Sequence, residues 1–224
     1  MTGSSCIIPT VVPASVEEIK AVRERFPAAS AIHIDVTDGV FAPKKTWTPP
    51  PGYKLPDAAQ VLYEVHLMVD QPLAAGLAYA HAGARRMIGH VESFRHADAA
   101  QDIFMMWRGA GVKEIGLALK LDTLPKEVVP YADLVDFVHL MTIAEIGEQG
   151  KPFDERALER IARFHGQFPT LPMSIDGGVT EERIRALRDA GIARFCVGHA
   201  LSMADDPAAA FDRLSSLCTA THST

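Results

Sequence analysis

His33-Ile34-Asp35-Val36-Thr37-Asp38-Gly39 reads as a short β-strand running into a turn. Side chains alternate across a strand, so His33 and Asp35 share one face while Ile34 and Val36 take the other. A histidine and a carboxylate side by side, just before a glycine turn, suit a metal site or acid–base chemistry. A buried polar pair closing one strand end is the plainer reading of the stretch alone. Three further stretches that end in the same way shift the weight toward chemistry.

Outward from this strand, the pattern predicts strands over 6–12, 31–36, 61–69, 86–91, 114–121, 134–142, 172–175 and 194–197. Helices are predicted over 16–26, 72–81, 98–108, 124–131, 154–164, 181–190 and 207–217. Ser15 followed by Glu18 predicts a capping box at the first helix. Pro72 opens another helix and Gly83 closes it. Between the second and third strands, 39–56 is a long loop with Phe41, Pro43, Trp47 and three consecutive prolines. Its length and aromatic content predict an ordered loop over an active site.

The order is strand then helix, eight times, with no linker. Such alternation implies parallel strands with crossover helices. The expected fold is α/β, a single (β/α)8 TIM barrel over 1–224, at the short end of the usual size, with 219–224 frayed. A doubly wound open sheet is the competitor, but its first turn is usually G-x-G-x-x-G. Here that turn is Pro9-Thr10-Val11-Val12-Pro13.

Composition agrees. Of 224 residues 48% are hydrophobic, enough for a sizeable core, and the net charge of −6 gives no footprint for nucleic acid. No apolar run is long enough to span a membrane, and residues 1–5 lack the basic start of a signal peptide. Cys6, Cys196 and Cys218 show no C-x-x-C spacing, which predicts free thiols in a reducing, cytoplasmic setting, with Cys6 and Cys196 as small core residues.

Reactive groups of such a barrel gather at the C-terminal ends of its strands. Those ends here carry His33 and Asp35, His66, His90 and Glu92, and Asp176. Polar groups inside a barrel are costly unless paired or metal-bound. Two His with two Asp form a mixed N/O set suited to Zn²⁺, Fe²⁺, Mn²⁺ or Co²⁺. A hydrogen-bonded polar plug without metal is the alternative. Met68 and Met141 read as core or as apolar walls of the site. Gly177-Gly178 and Gly198 read as turn chemistry or as backbone donors to an anion. His139 lies on the face of Met141 and reads as a satisfied core histidine; His81, His96 and His165 read as bystanders.

From Ile8 to about Leu214 the sequence resembles the ribulose-phosphate 3-epimerase family. The matching pieces are Ile8-Pro9-Thr10, His33 to Gly39, Val65-His66-Leu67-Met68-Val69 and His90-Val91-Glu92. They continue with Gly116-Leu117-Ala118-Leu119, Met141-Thr142, Asp176-Gly177-Gly178-Val179 and Val197-Gly198. The resemblance implies a (β/α)8 isomerase holding one divalent metal through His33, Asp35, His66 and Asp176. It also implies that Asp35 and Asp176 serve as acid and base around a 2,3-enediolate, interconverting D-ribulose 5-phosphate and D-xylulose 5-phosphate. Substrate contacts are expected from Thr10, Met68, Met141, Gly147, Gly177, Gly178, Gly198 and His199. The expected partner is a small sugar phosphate, with no nucleic acid and no membrane, in a homo-oligomer.

The departures fall at one end. Thr10 stands for the family's Ser, Thr37 for its Met, Lys120-Leu121 for Asn-Pro, and His199 for Ser. The phosphate loop Asn-Pro-Gly-Phe-Gly-Gly-Gln is replaced by the longer Ala144-Glu145-Ile146-Gly147-Glu148-Gln149-Gly150-Lys151. Carboxylates beside a phosphate repel it. Glu145 and Glu148 are therefore expected to face solvent, with Gly147 or Gly150 turned toward the ligand. An isomerase of the same fold acting on another ketose or ketose phosphate, and a non-catalytic barrel used as a binding module, remain the alternatives.

Overall fold

The computed structural model describes residues 6–219. Eight parallel strands close into a barrel in sequence order: β1 (Ile7–Val11), β2 (Ala31–Thr37), β3 (Leu62–Met68), β4 (Arg86–His90), β5 (Glu114–Leu119), β6 (Phe137–Met141), β7 (Met173–Asp176) and β8 (Ile192–Val197), with β8 pairing back onto β1. The helices are α1 (Val16–Arg25), α2 (Pro72–Ala82), α3 (Ala97–Gly109), α4 (Arg156–Gln167), α5 (Glu181–Asp189), α6 (His199–Ser202) and α7 (Pro207–Thr219).

Several expectations need correction. No helix follows β2: the chain runs from Asp38 to Val61 without one, and Pro125–Tyr131 is a 3₁₀ helix holding Pro130. The alternation is therefore incomplete, because proline-rich segments cannot sustain an α-helical hydrogen-bond ladder. The sequence pattern does not predict the short helix α6. At α1, Ser15 makes no side-chain cap; Glu18 instead accepts from the Ala14 N–H at 2.9 Å. Cys6 and Cys218 are not free but joined as a disulfide, their Cα atoms 6.2 Å apart. They are 212 residues apart in sequence, so no local spacing could signal the pairing. Residues 1–5 and 220–224, to which the leader and most of the frayed-tail expectations refer, lie outside the described residues; Thr219 ends α7.

The strands have two unlike faces. Outward-facing Ile32, Ile34, Tyr63, Val65, Leu67, Met87, Leu117, Leu140, Ile175 and Phe195 join Trp107, Phe164 and Ile184 from the helices in one apolar layer. Burial of that layer is the main driving term for the fold. Inward-facing positions are largely polar. At the N-terminal end, Glu64 meets Arg86 at 2.9 Å, Arg86 grips Glu114 with Nε and Nη2 at 3.0 and 2.9 Å, and Arg194 reaches Glu114 at 3.0 Å. The Arg194 guanidinium also stacks 3.9 Å over the Phe137 ring. That ring fills the space in front of Gly116, where a Cβ would lie only 2.4 Å from it. Removing Glu64 or Arg86, its buried members, costs about 3–5 kcal/mol, because it strands the buried partner charge.

Candidate active site

Strand register sets the site. Asp35 pairs with His66 across β2 and β3, and His33 with Glu64 one pleat below. Met141 pairs with Asp176 across β6 and β7, with His139 and Ser174 one pleat below. Period-two alternation thus turns Asp35, His66, Met141 and Asp176 inward at one level, with His33 and His139 beneath them.

Hydrogen bonds lock this floor. Asp35 Oδ1 lies 3.1 Å from His33 Nε2 and 2.9 Å from His66 Nδ1. His33 Nδ1 lies 2.6 Å from Glu64 and 3.2 Å from Cys196 Sγ. His66 Nε2 meets His90 Nε2 at 2.8 Å, and His90 Nδ1 meets Glu92 at 2.9 Å. Glu92 also accepts from the Lys120 N–H at 2.9 Å and from the Thr123 hydroxyl. His33, His66, His90 and His139 are fully buried.

The electrostatics separate the two aspartates. Burial alone would raise the Asp35 carboxyl, but His33 and His66 hold it well below the carboxylate range. Asp176 is pushed up to about 7, by burial first and by the charge of Asp35 second. Burial lowers His66 to about 4 despite the bond to Asp35, and it lowers His90 and His139 as well. Asp35 is therefore ionised at neutral pH, while Asp176 titrates close to it. That split is what a two-group acid–base site requires.

The donor atoms fit a divalent cation. His33, His66, His139 and Asp176 each bring one within 4.8 Å of all the others. Three of the four expected ligands are in this group. Asp35, the fourth expected ligand, is not in it; its carboxylate is instead hydrogen-bonded to His33 and His66. His139 Nδ1 is bonded to Ser174 Oγ at 2.8 Å, while its buried Nε2 has no hydrogen-bond partner among the described residues. The unpartnered nitrogen of His139, the neutral imidazoles of His66 and His139, and two carboxylates that disfavour each other's charge would all be relieved by a positive ion, which His33, raised by Cys196 and Asp35 against its burial, would meet by giving up a proton. The sequence pattern reads His139, two residues before Met141 on the inward face, as a satisfied core histidine; the structure satisfies Nδ1 but not Nε2.

Above the floor lies a cavity of about 430 Å³. Thr10, Asp35, Met68, Met141, Gly147, Asp176, Gly177, Gly178, Gly198 and His199 all line it. His33 and His66 sit beneath. Met68 and Met141 are buried in an apolar cluster with Ala42, Ile143 and Ile146, beside Phe41. Phe41 comes from the long loop, its ring tilted against that of His90 with centroids 4.8 Å apart and the Lys120 ammonium 3.8 Å from its own centroid. Asp38 holds the base of that loop by accepting from the N–H groups of Val40, Phe41 and Asp70, each at 2.8 Å. Phe41 thereby packs against the apolar wall formed by Met68 and Met141.

At the mouth, the face of Gly178 is covered by chain from the β6–α4 loop: a Cβ there would lie 2.2 Å from Phe153 N, and φ is +63°. Gly198 faces Gln149, whose amide donates to Thr10 O at 3.2 Å. Glu145 is turned outward with its side chain 75% exposed and pairs with Lys151 at 2.5 Å. Glu148 is 38% exposed, lines the cavity and pairs with Lys44 at 2.8 Å. Gly147 lines the cavity with φ +91°.

The profile described as "Ribulose-phosphate 3 epimerase family" matches residues 5–202. The chain belongs to the ribulose-phosphate 3-epimerase family. Curated relatives in that family are carbohydrate epimerases, a class of isomerase. The ribulose-phosphate 3-epimerase of Mycobacterium tuberculosis is 30% identical over 216 residues, covering 93% of this chain and 91% of its own. That of Chlamydia muridarum is 32% identical over 169 residues, covering 73% and 72%. Among solved structures, a ligand-bound KGPDC from Streptococcus mutans superposes with a TM-score of 0.72 at 11% identity, covering 95% of this chain and 96% of that one. At that identity the likeness concerns the barrel alone.

Proposed function

We propose that this protein is a 3-epimerase of a pentulose 5-phosphate, interconverting D-ribulose 5-phosphate and D-xylulose 5-phosphate. The feature that carries this is the pair of inward carboxylates, Asp35 and Asp176, facing one cavity, with Asp35 held low and Asp176 raised to about 7. With a ketose in place, Asp35 takes the proton from C3, and the C–H electrons move onto the C2 carbonyl oxygen to give a 2,3-enediolate. Asp176 then delivers its proton to C3 from the opposite face, and the electrons return to re-form the ketone. One base alone returns a proton to the face it came from, so inversion needs both groups. A divalent ion held by His33, Asp35, His66 and Asp176 would supply positive charge against the oxygen that becomes negative. His33 and His66 hold the carboxylate of Asp35 in place. Met68 and Met141 keep water from the flat intermediate.

A coupled assay on D-ribulose 5-phosphate, with and without Fe²⁺, Zn²⁺, Mn²⁺ or Co²⁺, tests the proposal. Turnover together with uptake of one solvent deuteron at C3 is expected. No exchange with any of the four ions would sink it. A second reading is favoured by the mouth, where Phe153 covers Gly178 and the cations Lys151 and Arg183 are both engaged, by Glu145 and Glu155. It keeps the chemistry and changes the substrate to a different ketose or ketose phosphate. A panel of ketoses separates the two by kcat/KM. Oligomeric state, expected to be above monomer, is read from the same preparation by light scattering.

A further inference from the structure

We propose that His139 is a direct ligand of the divalent cation, making the centre a three-imidazole site. This rests on the reading of the barrel floor as a metal centre, and it adds a residue that the ligand set implied by the family resemblance does not include. Three observations carry it. A ring nitrogen of His139 lies within 4.8 Å of donor atoms from His33, His66 and Asp176. Metal–nitrogen and metal–oxygen bonds of about 2.0–2.2 Å place neighbouring donors roughly 3–4 Å apart, so small side-chain shifts suffice to close the site. Its ring is held on three sides. It stacks on His33 with centroids 5.4 Å apart, it meets the His66 ring edge-on at 4.7 Å, and Nδ1 is bonded to Ser174 Oγ at 2.8 Å.

The third observation decides between a ligand and a structural histidine. His33 and His66 have partners at both ring nitrogens, and His90 has them at both as well. His139 Nε2 alone among these is buried and has none in the described structure. A hydroxyl can accept from Nδ1–H, which leaves a lone pair on Nε2. An outer hydrogen bond of this kind is what orients a metal-bound histidine and fixes its tautomer. A histidine present only to fill the barrel gains nothing from an unpartnered nitrogen, since burying it unbonded costs stability.

The consequence is selectivity. A third imidazole moves the site toward borderline cations such as Zn²⁺, Co²⁺ and Fe²⁺, and away from Mn²⁺ and Mg²⁺. The test is made on metal alone, without substrate. Zinc X-ray absorption of the wild-type protein should count three imidazoles, and His139→Leu should count two. Chelator competition should show Zn²⁺ bound at least roughly 100-fold more weakly by His139→Leu, because even outer-sphere partners of ligating histidines are worth 10–100-fold. The Zn²⁺:Mn²⁺ affinity ratio should fall in parallel. Ser174→Ala, which leaves the ligand and frees its ring, should weaken Zn²⁺ by about 10-fold and settles the matter if His139→Leu does not fold. Two imidazoles in the wild type, or unchanged affinity in both variants, overturn the proposal. A zinc centre with three imidazoles in a protein that epimerises no ketose would leave this inference standing and remove the functional one.

Discussion

The floor of the cavity and its mouth belong to one site but are held by different means. On the floor, Asp35 and His66 stand on the adjacent strands β2 and β3 and Asp176 on β7, in registers that leave no freedom, and hydrogen bonds tie Asp35 to two histidines. At the mouth, Gly147 to Lys151 hang on a loop between β6 and α4, secured by ion pairs of exposed side chains. A strand shifted by one residue would turn its whole polar set outward, whereas a loop can exchange every residue without disturbing the barrel. The floor is therefore fixed by the barrel, and the mouth is the part free to vary.

The floor should fail hardest. Asp35→Asn and Asp176→Asn should each lower kcat by at least roughly 10²–10⁴-fold, the usual worth of a positioned acid or base. Exchange of the C3 proton with deuterated solvent should fail in both, and metal content must be measured alongside. Normal exchange in either variant would separate that residue from the proton transfer.

The coupling of Asp176 to Asp35 gives a second, smaller test. In metal-free protein Asp176 keeps its proton until about pH 7, against an ordinary value of 3.8. The unfolded chain ionises it earlier, so this group costs stability as pH rises from about 4 to 7, and the full cost persists above that. After chelation, the Tm of wild type relative to Asp176→Asn should therefore fall by roughly a few degrees between pH 5 and pH 8. A flat difference would mean that Asp176 titrates normally. His66, lowered to about 4, acts in the opposite direction at acid pH and is present in both proteins, so it cancels.

Gly178→Ala crosses the boundary between the two regions. The new Cβ would lie 2.2 Å from Phe153 N at a φ of +63°, so the β6–α4 loop must move. We expect KM for the phosphorylated ketose to rise by about 10-fold or more while the Zn²⁺ affinity stays unchanged. Loss of metal as well would show that floor and mouth are not independent.

This division also explains what could be read from sequence. His33, Asp35, His66 and Asp176 sit in short runs whose alternation states which way they point, so both barrel and floor were legible. His139 was visible on the correct face, but whether a buried histidine is satisfied depends on a hydroxyl 35 residues away in sequence. The missing helix after β2 was obscured because a regular strand–helix alternation was carried across a proline-rich loop. The Cys6–Cys218 bond joins the two ends of the described chain, where spacing carries no information. Glu148 could be seen to oppose a phosphate, but not to be answered by Lys44 from the loop after β2.

That last pair supplies the mildest prediction. Lys44 and Glu148 meet at 2.8 Å with side chains 71% and 38% exposed, and Lys151 lies 3.7 Å from the same carboxylate. Both lysines hold Glu148 below the ordinary range, with Lys44 the stronger, so it is charged throughout neutral pH. Exposed pairs of this kind add little to stability, and Glu148→Gln should leave Tm unchanged. Its effect belongs to binding. Neutralising one negative charge on the cavity wall frees Lys44 and Lys151 to face an incoming dianion. KM for a phosphorylated ketose should therefore fall by less than about 3-fold, more at low salt than at high, because screening weakens exposed charges. KM for an unphosphorylated ketose should not move. A rise of 10-fold or more would instead mean that Glu148 itself holds the substrate, and the mouth would then be built for a ligand with donor groups rather than for a phosphate.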